Sequence, residues 1–349
     1  MNVIDGRKCH DEIVAKMQPK LTYGSISDYK EWKKAIKEKF IELTGLDSME
    51  ANVATNPNFE IESEEQKEGY KQIRFTFESE VGAVVSAYIL IPDGLNGEKR
   101  PVVITLQGHS TGAHNSVGIV KYDEDEEYQR TRGMFAVQAV KEGYIAVAIE
   151  QRGMGERSAQ NAEGRRVHLG QKGGCYYEAV TAGLMGRSII GERCFDISKT
   201  IDMLEHFKEV CDLDKIVITG NSGGGTASYY AACYDERIKI SVPSCAFCPY
   251  PESILKFYHC SCNYIPQAFK YFDMQDLSCL IAPRRLALVN GKKDPSFLIE
   301  GVRRGYETVK KVYEAEGVPE NCKSIETEVG HYWCIDLMWN TIREELAKL

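Results

Sequence analysis

An α/β fold built on a mostly parallel sheet is the class this sequence predicts, and three observations predict it. Short, continuous apolar runs of the kind buried on both faces of a sheet recur along the chain, PVVITL at 101–106 and YIAVAI at 144–149 among them. Segments of helical period fall between these runs. At 215–233 one run passes through a glycine-rich turn, GNSGGG, straight into a helix rich in alanine.

The rest of the chain is organised around that last stretch. Gly220, Ser222 and Gly224 fit the pattern G-x-S-x-G, in which a serine sits on a tight strand-to-helix turn. A side chain two residues before or after the serine would collide with neighbouring backbone, so glycine is needed there. The helix that follows points its amides and positive dipole end at the serine, favouring the negative charge of acyl transfer. A phosphate-binding loop is excluded, because G-x-x-x-x-G-K-[ST] is absent and G-x-G-x-x-G does not open this helix.

Taken in order, residues 1–70 read as a helical extension ahead of a catalytic domain at 71–349. The spacing of Tyr29, Trp32, Ile36, Phe40 and Leu43 predicts a helix over 27–43, with Ser27 or Asp28 as N-cap and Gly45 beyond its end. Acidic residues 60–69 read as a solvated connection. Strands are expected at 73–77 and 84–91 as an antiparallel pair about Gly82, then at 101–106, 144–149, 215–219, 238–242, 285–290 and 324–329. Residues 123–127 read as a solvated acidic loop that begins a lid, and helices are expected at 132–142, 192–209 and 302–316 and at the C-terminus. Two long insertions, at about 158–190 and 244–280, are of the length that forms lids or binding loops. Most aromatics of the second are expected to pack it.

Three residues stand in loops just past apolar strands: Ser222, Asp294 and His331. Loops at the carboxyl ends of parallel strands emerge at one edge, so the three are expected to meet. A serine hydroxyl needs a base to take its proton during attack, and a histidine serves near neutral pH. Asp294 would fix the imidazole tautomer, and Asp336 and Asp276 are weaker candidates because neither directly follows a strand. The loop after 101–106 carries Gly108 and His109. The amides of His109 and Gly223 are the expected oxyanion donors, with the His109 ring read as structural. Arg152, past another strand, is read as an internal salt bridge rather than a substrate ligand.

Bulk properties narrow the function class. A net charge of −8 with dispersed Lys and Arg argues against a nucleic-acid partner, and no apolar run is long enough to span a membrane. The first residues, MNVIDGRKCHDEIV, lack the apolar core of a secretory signal. The twelve cysteines are scattered rather than set in a compact framework, so they read as reduced thiols in a cytoplasmic protein. The pairs Cys245 with Cys248, and Cys260 with Cys262 beside His259, raise a zinc or redox site. Neither has a second C-x-x-C at zinc-ribbon spacing, so buried thiols are preferred. A homo-oligomer stays open.

The order Ser222, Asp294, His331, with LQGHSTG (106–112), QRGMGERS (151–158), GRSIIGERCFDISKTIDML (186–204), TGNSGGGTASYYAACYDERIK (219–239), IAPRRLALVNGKKDP (281–295) and EVGHYW (328–333), resembles the α/β-hydrolase superfamily from about residue 73 onward. Within it the chain resembles the acetyl xylan esterase-like and dienelactone hydrolase-like branch. Asn221 replaces the histidine often found before the nucleophile. The resemblance implies an eight-stranded, mostly parallel sheet, no metal or other cofactor, and hydrolysis of short-chain acyl esters of sugars or small glycosides. A serine peptidase of the prolyl-oligopeptidase kind and a non-catalytic binding protein are the alternatives. The first lacks a propeller-sized N-terminal domain here, and the second would be marked by a lost triad member.

Overall fold

The computed structural model describes residues 4–158 and 174–349. The chain opens with helices α1 (Lys8–Lys16), α2 (Tyr29–Thr44) and α3 (Leu46–Glu50). Helix α2 starts where Asp28 accepts a hydrogen bond from the Glu31 amide and stops at Gly45, whose φ of 74° only glycine adopts freely. It buries Trp32, Ile36 and Phe40 in the main core. Helix α1 was not foreseen. It buries no residue, so it has no core-facing stripe to be read.

Strands β1 (Glu60–Lys67), β2 (Tyr70–Glu80) and β3 (Ala83–Pro92) pair antiparallel. The first corrects the expected solvated connection at 60–69. Nearly every β1 residue is exposed, so the segment carries no alternation, yet it lies along β2 with Glu62 against Arg74 and Glu64 against Lys71. Charge along such an edge also discourages pairing with another chain.

Next come β4 (Arg100–Leu106), α4 (Asp123–Arg132), α5 (Phe135–Lys141) and β5 (Ile145–Ile149). The acidic run at 123–127 is therefore helix, not loop. Four of its five carboxylates sit in the first turn of α4, where they complement the helix dipole. The helix expected over 132–142 is α5 alone. Of the insertion expected at 158–190, residues 159–173 lie outside the described residues, and helix α6 (Gly174–Leu184) follows them.

The remainder runs α7 (Ile189–Met203), β6 (Cys211–Asn221), α8 (Gly223–Tyr234), β7 (Ile238–Ser244), β8 (Arg285–Gly291), α9 (Ile299–Ala315), β9 (Cys322–Thr327) and α10 (Ile335–Leu346). Short 3₁₀ turns fill 250–280. One nine-stranded sheet results, in the order β1-β2-β3-β5-β4-β6-β7-β8-β9, parallel from β5 to β9. It has nine strands rather than eight because β1 pairs at the edge. Ile216 and Ile218 of β6 face the core shared with α2, α7, α8 and α9, while Val217 faces the layer of α5 and α10. Burial on both faces is why that strand reads as an unbroken apolar run.

Candidate active site

Strand β6 ends at Asn221 and helix α8 begins at Gly223, which leaves Ser222 between them at φ 56°, ψ −121°. A non-glycine residue is costly in that region, and the surroundings enforce it. A Cβ on Gly220 would lie 2.5 Å from the Leu106 carbonyl oxygen, and one on Gly224 would strike the Leu106 and Gln107 carbonyls. The turn is thus pressed against the end of β4. Ser222 donates its amide to the Ser244 carbonyl at 2.9 Å, and its own carbonyl accepts from the Thr226 amide at 2.8 Å. Both contacts hold the serine at the helix N-terminus.

Asp294 follows β8 and has a fully buried side chain. One carboxylate oxygen accepts from the amides of Ser296 (2.8 Å) and Phe297 (3.2 Å), and the other accepts from His331 Nδ1 at 2.8 Å. Donation from Nδ1 leaves Nε2 of His331 with its lone pair, the state a general base requires. The Phe297 ring stacks on the imidazole at 5.9 Å and 12°. Asp336 lies in the first turn of α10. Asp276 accepts from the Tyr23 and Asp273 amides within the 250–280 region, so neither takes the place of Asp294. Cys245, directly after Ser244, has its sulfur within 4.8 Å of the paired Asp294 and His331 atoms. Burial, then the Asp294 charge, pushes this thiol up to about 12 and keeps it neutral.

The loop after β4 lies over the elbow. A Cβ on Gly108 would be 3.0 Å from the Asn221 carbonyl oxygen and 3.4 Å from Ser222 Cβ, so the adjacent backbone of His109 runs beside the nucleophile candidate. Two buried carboxyl groups brace this loop. Asp125 accepts from the Lys121 and Tyr122 amides, from Thr111, and from His114 Nε2 at 2.9 Å. Burial works against its charge, but those hydrogen bonds outweigh it and hold the carboxyl well below the usual range. Glu150 accepts from Gln107 Nε2 at 3.1 Å and the Ala113 amide at 2.9 Å, while burial pushes it up to about 7. Sequence reasoning passed over Glu150, although it directly follows a strand as the triad candidates do.

The His109 ring is part of an unforeseen cluster. Its Nε2 is 3.2 Å from Cys262 Sγ, and the ligand atoms of His109, Cys175, Cys260 and Cys262 all lie within 4.8 Å of one another. Burial would lower the imidazole, but hydrogen bonds to Cys175 and Cys260 and their charge raise it to about 9. The expected neighbour of the pair, His259, stands elsewhere, edge-on to Phe297 at 5.1 Å. Cys248 contacts the Leu298 carbonyl instead. All twelve cysteines are free of disulfides.

Arg152 forms the internal salt bridge expected of it. It binds Asp196 at 2.8 Å and Glu80 at 2.7 Å, with Glu192 at 3.5 Å, and Arg157 adds a second contact to Asp196. Burial opposes ionisation of Asp196, but the two guanidinium charges hold it down to about 2. The network ties the β5 loop to α7.

A cleft of about 800 Å³ opens beside His109, lined also by Thr111, Tyr122, Met154, Cys175 and Cys260. Among the described residues that line it, His109 lies next to the elbow, and Ser222, Asp294 and His331 are not part of the lining. No helix among the described residues is long and apolar enough to cross a membrane.

Known proteins share this architecture. The chain is 26% identical over 253 residues to a Bacillus subtilis (strain 168) protein, YtaP, named as a hydrolase, covering 70% of this chain and 77% of that one. Its fold is similar to a Bacteroides fragilis NCTC 9343 protein described as an acetyl xylan esterase, with TM-score 0.76, 19% identity, and coverage of 98% and 95% of the two chains. It is also similar to a glucuronoyl esterase from Solibacter usitatus, with TM-score 0.64, 15% identity, and coverage of 95% and 97%. The sequence profile of the Abhydrolase family matches residues 4–332, the span that holds the serine elbow, the β4 loop and the Asp294–His331 pair, and the chain belongs to that family of α/β-hydrolases.

Proposed function

We propose that this protein is a serine carboxylester hydrolase that removes short acyl groups, acetyl above all, from sugars or small glycosides. The observation that carries the reading is the backbone of Ser222 at φ 56°, ψ −121°. Packing alone would be served as well by glycine there, and a strained serine at a helix N-terminus serves chemistry. As Ser222 Oγ attacks the ester carbonyl carbon, His331 Nε2 takes the hydroxyl proton and Asp294 stabilises the imidazolium. The displaced carbonyl electrons collect on oxygen, where the His109 and Gly223 amides donate to it. Collapse of the tetrahedral species expels the sugar alkoxide, which receives the proton from His331. Water then attacks the acyl-serine with His331 again as base, releasing the carboxylate and restoring Ser222.

The cleft supports a carbohydrate leaving group. Tyr122 on its wall offers an aromatic face, a group that suits the apolar face of a sugar. Two of the similar folds, named above, are carbohydrate esterases by description.

A fluorophosphonate probe is expected to label Ser222 alone, because the probe needs an activated hydroxyl next to an oxyanion hole. Peptide mass spectrometry of the adduct checks it; labelling elsewhere, or none, overturns the assignment, and the second result would favour a non-catalytic binding protein.

Acyl size separates a roofed pocket from an open groove. Helix α6 and the 250–280 turns converge on the cleft through Cys175 and Cys260. A roof excludes long chains, whereas an open apolar groove gains about 0.8 kcal/mol for each further methylene buried. For aryl esters, kcat/KM is expected to fall from acetyl to butyryl to octanoyl. A rise along that series replaces the sugar-deacetylase reading with a general carboxylesterase, and turnover of dipeptide amides in the same panel would favour the peptidase.

A further inference from the structure

The side chains of His109, Cys175, Cys260 and Cys262 take no part in the bond-making steps above. Three thiols and an imidazole from three separate chain segments, the β4 loop, the start of α6 and the 250–280 region, bring every ligand atom within 4.8 Å of every other. Ligands of a tetrahedral zinc site, at ~2.3 Å from the metal for sulfur, lie ~3.8 Å apart. Unbridged thiols gain nothing from such convergence, since a thiol is a weak hydrogen-bond donor and a weak acceptor.

Arg193 is a second and independent observation. The residue is 1% exposed, and the hydrogen bonds its guanidinium makes among the described residues go to a carbonyl and a thiol, none to a carboxylate. The guanidinium donates to the Arg152 carbonyl at 2.8 and 3.0 Å and to Cys175 Sγ at 3.2 Å, while Nη1 is buried with no hydrogen-bond partner among the described residues. A buried cation without an anion is strongly unfavourable, so the cluster beside it must carry negative charge. One thiolate would already balance Arg193, so the case for a metal rests on the convergence of all four ligand atoms. A zinc ion with three thiolates and a neutral imidazole carries one net negative charge, which Arg193 balances, and its donation to Cys175 is the outer-shell hydrogen bond that zinc thiolates accept.

We propose that His109, Cys175, Cys260 and Cys262 bind a structural zinc ion, with Arg193 as the charge-balancing partner of its ligand Cys175. The soft thiolates and imidazole select zinc over hard cations such as magnesium or calcium, and four protein ligands close the site to catalysis by bound water. The site departs from the absence of a metal that the family resemblance implies. The metal would staple α6 and the 250–280 region to the loop that carries the His109 amide. It would also hold the His109 ring where a Cβ on Gly223 would come within 2.9 Å of it.

The test reads metal rather than turnover, so it stands or falls separately from the esterase assignment. Protein purified under reducing conditions without chelator and dialysed against metal-free buffer is expected to retain about one equivalent of zinc by elemental analysis. Replacement by Co²⁺ is expected to give thiolate-to-cobalt charge-transfer and tetrahedral d–d bands. Cys262→Ala should lose both signals, and Cys9→Ser, at an exposed cysteine outside the cluster, should keep them. Should Cys262→Ala fail to fold, thiol mapping of the native protein decides. Bound metal is expected to protect Cys175, Cys260 and Cys262 from iodoacetamide, and chelation to expose them. The proposal is overturned by reduced wild-type protein that holds no zinc and gives no cobalt bands, by retention of both signals in Cys262→Ala, or by metal protection mapping to other cysteines.

Discussion

Ser222→Ala and His331→Ala are each expected to lower kcat for a short acyl ester by about 10⁶-fold, and the double variant by little more. The non-additivity is part of the expectation. Without the hydroxyl there is nothing for the imidazole to activate, and without the imidazole the hydroxyl at its ordinary acidity scarcely attacks, so either loss removes the whole unit. What remains is expected to be the rate supplied by binding and by the proposed oxyanion donors, the His109 and Gly223 amides. Neither substitution should disturb the fold, since Ser222 is held through its backbone and His331 is partly exposed. Steady-state kinetics with an aryl acetate, beside a melting curve for each variant, checks this. A loss below a hundredfold in either variant would place the nucleophile or base elsewhere.

Asp294→Asn is the second large effect, a fall in kcat of about 10⁴-fold. The hydrogen bonds of Asp294 decide how the asparagine must sit. One oxygen of the present carboxylate receives the Ser296 and Phe297 amides, and only the carbonyl oxygen of asparagine can do the same. The NH₂ group then faces His331 Nδ1, which has to accept, and the proton moves to Nε2, where it blocks deprotonation of Ser222. The imidazole keeps its place and loses its function. Fluorophosphonate labelling should slow in proportion, with the melting temperature nearly unchanged. Near-normal turnover in Asp294→Asn would show that the acid is another residue.

The parallel strands were legible because each is buried on both faces, as the split of Ile216, Val217 and Ile218 between two core layers illustrates. Helix α2 was legible for a different reason, the helical spacing of Trp32, Ile36 and Phe40, which it buries, with Asp28 and Gly45 marking its ends. Strand β1 was not, because an exposed edge strand carries charge on both faces and its pairing is decided by β2. Helix α4 was misread as loop from its acidity, although four carboxylates together are what a helix N-terminus favours.

The sequence by itself determined the α/β class and the candidates Ser222, Asp294 and His331. In a parallel sheet every apolar strand delivers its following loop to the same edge, so order along the chain translates into proximity in space. It also determined that Ser222 needs glycines around it, since that constraint is local. Only the tertiary structure decided that Asp294 reaches His331 through a hydrogen bond, that Arg152 is spent on Asp196 and Glu80, and that His109 turns its ring toward Cys175, Cys260 and Cys262. Spacing carries no record of those contacts. Three segments far apart along the chain meet there because of how loops and helix ends pack above the sheet, and that packing follows from the burial of the whole core rather than from any local pattern.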